Sequence, residues 1–282
     1  MLVSEQAHAK INLALHVTGR RADGYHELDS IVAFADVADV LTIAPADIVS
    51  LDITGPFAND LIRDGTNSVL SAWRLLDDFS RQQGAALAPV KFQLEKNLPV
   101  ASGIGGGSAD AAAALRGLIR LFDISISAPD LSELALQLGA DVPVCLLQES
   151  SRMRGIGEII EPLDLDLPPA IVLVNPRVPA STPKVFESLN LQSGQSFGAG
   201  IGNVYDFQSW RNDLTAPAVT LVPEIVDVIG SLNFQPDIVC SRMSGSGATC
   251  FGLFASLEMA QIAAAAIAEK HPNWWVVATT LL

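Results

Sequence analysis

The stretch Leu98-Pro-Val-Ala-Ser-Gly-Ile-Gly-Gly-Gly-Ser-Ala-Asp110, followed by the apolar run Ala111 to Leu121, is where composition most directly suggests chemistry. Gly103, Gly105, Gly106 and Gly107 remove the β-carbons that would hold a ligand away from the main chain. Ser108 is then expected to cap a helix whose first turn carries Asp110. Glycines running into a helix N-terminus leave amide N–H groups aligned at the positive end of the helix dipole. Such a terminus suits an anion, most often a phosphate. The commoner phosphate loops do not fit: no Lys follows Gly107, as a P-loop needs, and Ser108 stands where the dinucleotide fingerprint needs its third glycine. The hydrolase elbow G-x-S-x-G is absent too. Taken alone, the loop is equally well a Gly-rich turn before a core helix.

Several elements must position this loop. Residues 7–17, Ala-His-Ala-Lys-Ile-Asn-Leu-Ala-Leu-His-Val, alternate between polar and apolar. This predicts a strand with His8, Lys10, Asn12 and His16 on one face and Ala9, Ile11, Leu13 and Leu15 on the other. A turn at Arg20–Gly24 leads into a second strand through Phe34, with short strands expected at Asp39–Ile43 and Val49–Thr54. Asn67–Gln83 has helical periodicity, with Val69, Trp73 and Leu76 inside. The strand Val90–Leu94 feeds the glycine loop. Beyond it, Asp130 is expected to cap a helix ending at Gly139, Asp141-Val-Pro143 turns into a short apolar helix, and Ser151–Ile160 reads as one strand.

Leu163-Asp-Leu-Asp-Leu-Pro-Pro169 is the best candidate boundary, giving expected domains over 1–163 and 164–282. The second part reads as strand Ile171–Asn175, a helix from Thr182, a Gly/Ser-rich loop over Gln192–Asn203 and helical segments from Phe207 to Leu232. Strands Ile238–Arg242 and Thr249–Phe254, helix Leu257–Lys270 and strand Trp274–Thr279 complete it. That order predicts a ferredoxin-like layer, so the fold class is α+β in two lobes with a cleft between them.

Composition narrows the function classes. With 282 residues, 49% apolar and 17% charged, the chain reads as globular, and its net charge of −14 argues against nucleic acid or an anionic membrane as partner. Placed amides and lysines still allow a phosphate ligand. Cys145, Cys240 and Cys250 read as buried free thiols. The four histidines show no metal-ligand spacing. No apolar run is long enough to span a bilayer, and residues 1–20 lack a signal-peptide core, so a cytoplasmic protein acting on small molecules is expected.

Three stretches together resemble a family. Pro99–Ala112 looks like the phosphate loop of the GHMP kinases, Ala9-Lys-Ile-Asn-Leu13 resembles their first motif, and Met243-Ser-Gly-Ser-Gly-Ala-Thr249 their third. The longer segment Ala9–Leu28, containing Thr18-Gly-Arg-Arg-Ala-Asp-Gly-Tyr-His-Glu-Leu28, is similar to one branch, the 4-diphosphocytidyl-2-C-methyl-D-erythritol kinases of mevalonate-independent isoprenoid synthesis. Leu138–Val144, Gly155–Glu158 and Ser181–Phe186 fall where that branch has similar segments.

The resemblance implies a GHMP fold, a ribosomal-protein-S5-like N-terminal lobe and a ferredoxin-like C-terminal one, and phosphoryl transfer from ATP, with Mg²⁺, to the 2-hydroxyl of a cytidine diphosphate-linked polyol. A monomer or weak homodimer is expected. Lys10 is implied as the cation beside the transferred phosphate and Asp141 as the base. Pro99, Val100, Ala101, Ser102, Gly103, Ile104, Gly105, Gly106, Gly107 and Ser108 would hold ATP, with Lys96 assisting the phosphates and Asn67 reaching the adenine. Ser246 and Gly247 would approach the phosphate side. Tyr25 and Phe186 would stack on the cytosine and His26 bond its edge, while Asn12 and Thr182 would contact the diphosphate or the polyol hydroxyls. Ala109 stands where the branch commonly has a second serine, so a metal-binding hydroxyl must come from Ser108, or its role pass to an amide or water. A homoserine- or mevalonate-type kinase would explain the loops but not Gly24-Tyr-His-Glu27. A non-catalytic ATP sensor on the same scaffold would be expected to lose Lys10 or Asp141, and both are present.

Overall fold

The computed structural model of the chain describes residues 2–61 and 66–282. Strands β1 (Val3–Arg20) and β2 (His26–Pro45) pair with each other, and both are longer than the alternation suggested. β2 absorbs the second strand and the expected Asp39–Ile43 strand into one, because no Gly or Pro interrupts it between His26 and Ala44. The polar face of β1 is not solvated: His8, Lys10, Asn12 and His16 are as deeply buried as its apolar face.

The chain divides into two compact units. One comprises residues 1–9, 37–100 and 105–148, the other 10–36, 101–104 and 149–282. In the first unit, β3 (Ser50–Thr54) runs parallel to β4 (Val90–Glu95), and β4 lies antiparallel to the second half of β2. Helix α1 (Ser68–Gln82), capped by Asn67, packs on α2 (Gly106–Phe122) through buried Val69, Ala72 and Leu76. Helix α2 lies close on β2: a β-carbon on Gly117 would come within 2.6 Å of Ile43. Helix α3 (Ala128–Leu138) is capped by Ser127, not Asp130. The Ser127 hydroxyl accepts the Asp130 N–H and donates to its carboxylate, which places Asp130 at the third helical position. The short α4 (Val142–Leu147) follows Asp141.

In the second unit, the segment expected as one strand is a hairpin. β5 (Ser151–Gly155) pairs with the first half of β2 and with β6 (Ile159–Pro162). Positive φ at Gly155 and Gly157 makes the turn between β5 and β6. Next come β7 (Ala170–Asn175), α5 (Thr182–Glu187), α6 (Thr215–Leu221) and α7 (Glu224–Asn233). The chain ends with β8 (Ile238–Met243), β9 (Cys250–Phe254), α8 (Leu257–Lys270) and β10 (Trp275–Thr280). The antiparallel order β10-β7-β9-β8 with α7 and α8 packed on it is the expected ferredoxin-like layer. Val172, Val174, Ile225, Val228, Phe254 and Ile267 lie in its core.

The Gly/Ser-rich loop is laid along β1. Gly194 and Phe197 donate to the Arg20 and Thr18 carbonyls at 2.7 and 2.8 Å. Ile201 donates to Asp29, which Arg152 grips with two hydrogen bonds of 2.7 and 2.8 Å. Cys145 and Cys250 are buried and Cys240 is partly buried. Among the described residues no helix is long and apolar enough to cross a membrane.

Candidate active site

The glycine loop divides into two halves. In residues 101–104 the main-chain carbonyls are committed within the second unit. Ala101 accepts from the Ala180 N–H (3.2 Å), Ser102 from Thr249 (3.0 Å), Gly103 from the Ser244 hydroxyl (2.9 Å) and Ile104 from Lys10 (3.0 Å). Gly103, at φ 77°, is glycine for packing as much as for any ligand. A β-carbon there would sit 2.7 and 2.8 Å from the Gly247 nitrogen and oxygen, and one on Gly245 would sit 2.6 Å from the Gly103 oxygen. The glycines of Ser244–Gly247 thus let two main chains interlock.

The other half starts α2. Gly105, in the left-handed region at φ 66°, is the N-cap, so Ser108 occupies the third helical position and does not cap the helix as expected. A left-handed glycine starts the helix one turn earlier than a serine cap would. The amides of Gly106, Gly107 and Ser108 therefore have no acceptor inside α2. Among the described residues a β-carbon on Gly107 would meet nothing within 4 Å, which leaves room on this flank for a ligand. The helix is long enough for its dipole to favour an anion here.

A buried ion triad supports this terminus. The Lys96 ammonium donates to the carboxylates of Asp39 and Asp110, the latter at 2.6 Å, and all three side chains are at most 2% exposed. The second oxygen of Asp39 accepts the Asn97 and Leu98 amides at 2.6 and 2.8 Å. β2, the exit of β4 and the first turns of α2 are thereby tied at one point, directly under Gly106. Burial pushes the Asp110 carboxyl up to about 7; Lys96 opposes the rise and Asp39 adds to it. Burial disfavours the Lys96 ammonium, but Asp110 and Asp39 outweigh it and raise its pKa. Lys96, the side chain expected to assist the phosphates, thus donates to two carboxylates inside the first unit.

Asn67 is buried, and its side-chain oxygen caps α1 by accepting from Val69 at 2.9 Å. Asp141 is half-buried at the start of α4, and its side chain makes no capping bond to that helix. Lys10 lies at mid-strand in β1, 3% exposed.

Pro99 and Val100 belong to the first unit, and the predicted substrate-side residues, with Ser246 and Gly247, to the second. His26 and Phe186 form a tilted ring pair with centroids 4.9 Å apart, and exposed Tyr25 precedes His26. His26 Nε2 is buried and has no hydrogen-bond partner among the described residues. Burial, and secondarily Arg20, lower the His26 pKa, so the ring is neutral near pH 7. The Thr182 and Ser246 hydroxyls bond each other at 2.7 Å. Asn12 donates its amide N–H to Ser244 Oγ (3.0 Å) and its side-chain NH₂ to Ser30 Oγ (2.8 Å).

The triad partners Asp39 and Asp110, and the hydroxyls of Ser30 and Ser244, were not singled out as site residues. The available signal was a polar residue inside an otherwise apolar strand or helix run, as at Ser30 before Ile31-Val-Ala-Phe34. Among the described residues no group of three His, Cys, Asp or Glu could hold a metal ion.

Residues 67–149 match the model of the GHMP kinases N-terminal domain and residues 186–273 that of the GHMP kinases C-terminal domain. A 4-diphosphocytidyl-2-C-methyl-D-erythritol kinase from Paramagnetospirillum magneticum is 47% identical, over 99% of this chain and 98% of its own. One from Rhizobium leguminosarum is 53% identical, over 98% and 94%. A crystal structure of 4-(cytidine 5'-diphospho)-2C-methyl-D-erythritol kinase is 33% identical and superposes with a TM-score of 0.79, over 99% of this chain and 98% of that one. A homoserine kinase from Cytophaga hutchinsonii, 17% identical with a TM-score of 0.71, shares the fold. With both GHMP models matched in order and relatives of this identity over nearly the whole chain, the chain belongs to the 4-diphosphocytidyl-2-C-methyl-D-erythritol kinase family of GHMP kinases.

Proposed function

We propose that the protein transfers the γ-phosphoryl group of ATP to the 2-hydroxyl of 4-diphosphocytidyl-2-C-methyl-D-erythritol. The products are the 2-phosphate and ADP, in the mevalonate-independent route to isoprenoid precursors. The observation that carries this reading is the His26–Phe186 ring pair together with a buried His26 Nε2, in the segment Gly24-Tyr-His-Glu27, that has no partner among the described residues. A buried polar atom left unpaired costs about 1–3 kcal/mol, and a base edge satisfies it. The substrate follows from this reading and from the relatives' names, and a cytoplasmic setting is part of the same proposal.

Phosphoryl transfer needs positioning and charge stabilisation more than covalent help. The open amides of Gly106, Gly107 and Ser108 hold the ATP phosphates, while Pro99–Gly105 shape the approach, and Asn67 lies toward the adenine. Ser246 and Gly247 flank the phosphate side. Lys96 acts through the triad by fixing the start of α2, without touching the nucleotide. The Lys10 ammonium stabilises charge on the transferred group, and Asp141 accepts the hydroxyl proton. Tyr25 and Phe186 stack on the cytosine, His26 bonds its edge, and Thr182 and Asn12 contact the remainder of the substrate.

The donor set fits Mg²⁺ carried by the nucleotide. This ion takes phosphate oxygens and waters with few protein ligands. Ser108 Oγ, half-buried in the first turn of α2, is the protein oxygen that would hold it, Asp110 being engaged by Lys96. Bound there, Mg²⁺ would neutralise phosphate charge.

His26→Ala is expected to raise the KM for the cytidylyl substrate by about 10-fold or more and to change that for ATP less than about twofold. Equal rises in both would remove the base-reading role. Because the folded His26 pKa is depressed, the wild-type cytidylyl KM should stay flat from neutral pH upward. It should climb only as pH falls below 6.5, through the lowered value.

A further inference from the structure

The hydrogen bonds around Asn12 determine which end of its side-chain amide is left without a partner among the described residues. Ser30 Oγ lies 2.6 Å from the Ala14 carbonyl oxygen. A carbonyl only accepts, so the single hydroxyl proton of Ser30 is spent there. Toward Asn12, 2.8 Å away, Ser30 offers only lone pairs, and the group facing it must be the NH₂. The main chain is fixed in the same way. Ser244 gives its proton to the Gly103 carbonyl at 2.9 Å and accepts the Asn12 N–H at 3.0 Å. Ser30, Ser244 and Asn12 are all buried, at 2%, 0% and 4% exposure. In this set Asn12 Oδ1 is the atom without a partner among the described residues.

An amide carbonyl oxygen repels phosphate oxygens and needs a donor. If the proposed function holds, the substrate offers two kinds of donor, the exocyclic amine of the cytosine and the hydroxyls of the polyol. His26 serves the base edge. We infer that Ser30 is a positioning residue: it locks Asn12 with its carbonyl presented, so that Asn12 accepts a hydrogen bond from a hydroxyl of the acceptor polyol and does not contact the diphosphate. Ser30 touches no substrate and acts only through Asn12. Of the two partners the motif left open for Asn12, diphosphate or polyol, the proton count selects the polyol.

The experiment compares steady-state KM and kcat for both substrates in wild type, Ser30→Ala, Ser30→Thr, Asn12→Ala and the Ser30→Ala/Asn12→Ala double variant, with melting temperatures alongside. Ser30→Ala should raise the cytidylyl KM about 5- to 10-fold with ATP KM unchanged, and Ser30→Thr, which keeps the hydroxyl, should restore it. In the Asn12→Ala background, removal of the Ser30 hydroxyl should change the cytidylyl KM no further, because nothing remains to orient. A merely structural serine would lower the melting temperature and leave the KM ratio untouched, and that result overturns the inference. So does an undiminished Ser30→Ala effect in the double variant. If Ser30→Ala does not fold, Ser30→Cys, close in size but a poor acceptor, carries the same comparison. Wild-type protein that does not turn over the cytidylyl alcohol at all would refute the proposed function itself. A wild type that does, with Ser30→Ala identical to it, refutes only the role of Ser30.

Discussion

Asp141→Asn is expected to lower turnover by about 10²–10⁴-fold while ATP binding survives. The substitution keeps size and shape but removes the negative charge and with it the ability to take a proton. Ordinarily such a change at the start of a helix would confuse catalysis with stability, since losing an N-cap costs about 1 kcal/mol. Here that ambiguity is reduced, because Asp141 makes no capping bond to α4. Lys10→Met belongs to the same test. Lys10 holds Ile104 through its main-chain N–H at 3.0 Å, a bond that substitution leaves in place. The loop should therefore keep its shape while the ammonium is lost, with turnover falling by a similar factor. Pre-steady-state phosphoryl transfer together with nucleotide titration reads both effects. Near-normal turnover in either variant removes that residue from the chemistry.

The second large effect is on stability. Lys96→Met leaves Asp39 and Asp110 facing each other at 0% and 1% exposure without their cation. Removing one partner from a buried ion pair costs on the order of 3–5 kcal/mol, which for a chain of this size is a fall in melting temperature of about 6–20 °C. The loss should depend on pH in a definite direction. Burial already raises Asp110 to about 7 in the intact triad, and removing Lys96 removes the group that opposed the rise. An acid whose folded pKa lies above its unfolded value stabilises the fold below the unfolded value, near 4, and loses that contribution as pH rises through the folded one. Lys96→Met should therefore be least damaging near pH 5 and most damaging above pH 7. Thermal unfolding across that range measures it. A variant that melts like wild type but has a raised ATP KM would instead put the Lys96 ammonium on the nucleotide.

Much of the framework was legible because its signals are local. The glycine run before Ala111–Leu121, the helical periodicity over Asn67–Gln83, and the strand and helix order after Ile171 all depend on neighbours within a few residues. What could not be read rests on distant partners. Lys96 and Asp39 are 57 positions apart and Asn12 and Ser244 are 232, so no periodicity announces them. The alternation in β1 implied one wet face, but tertiary packing covers both, turning Lys10 and Asn12 from apparent surface residues into buried ones. Ser108 is the preferred residue type for a cap, yet a left-handed Gly105 starts the helix earlier. The single strand expected over Ser151–Ile160 failed because two glycines at positive φ, suitable for close packing, serve equally well as a turn.

The most direct measurement is ADP release by the purified protein with ATP, Mg²⁺ and one of three alcohols: 4-diphosphocytidyl-2-C-methyl-D-erythritol, homoserine or mevalonate. Turnover should appear with the cytidylyl alcohol and stay at background with the other two, and the product should carry one new phosphomonoester. Release driven by homoserine or mevalonate, or by none of the three, would contradict the account.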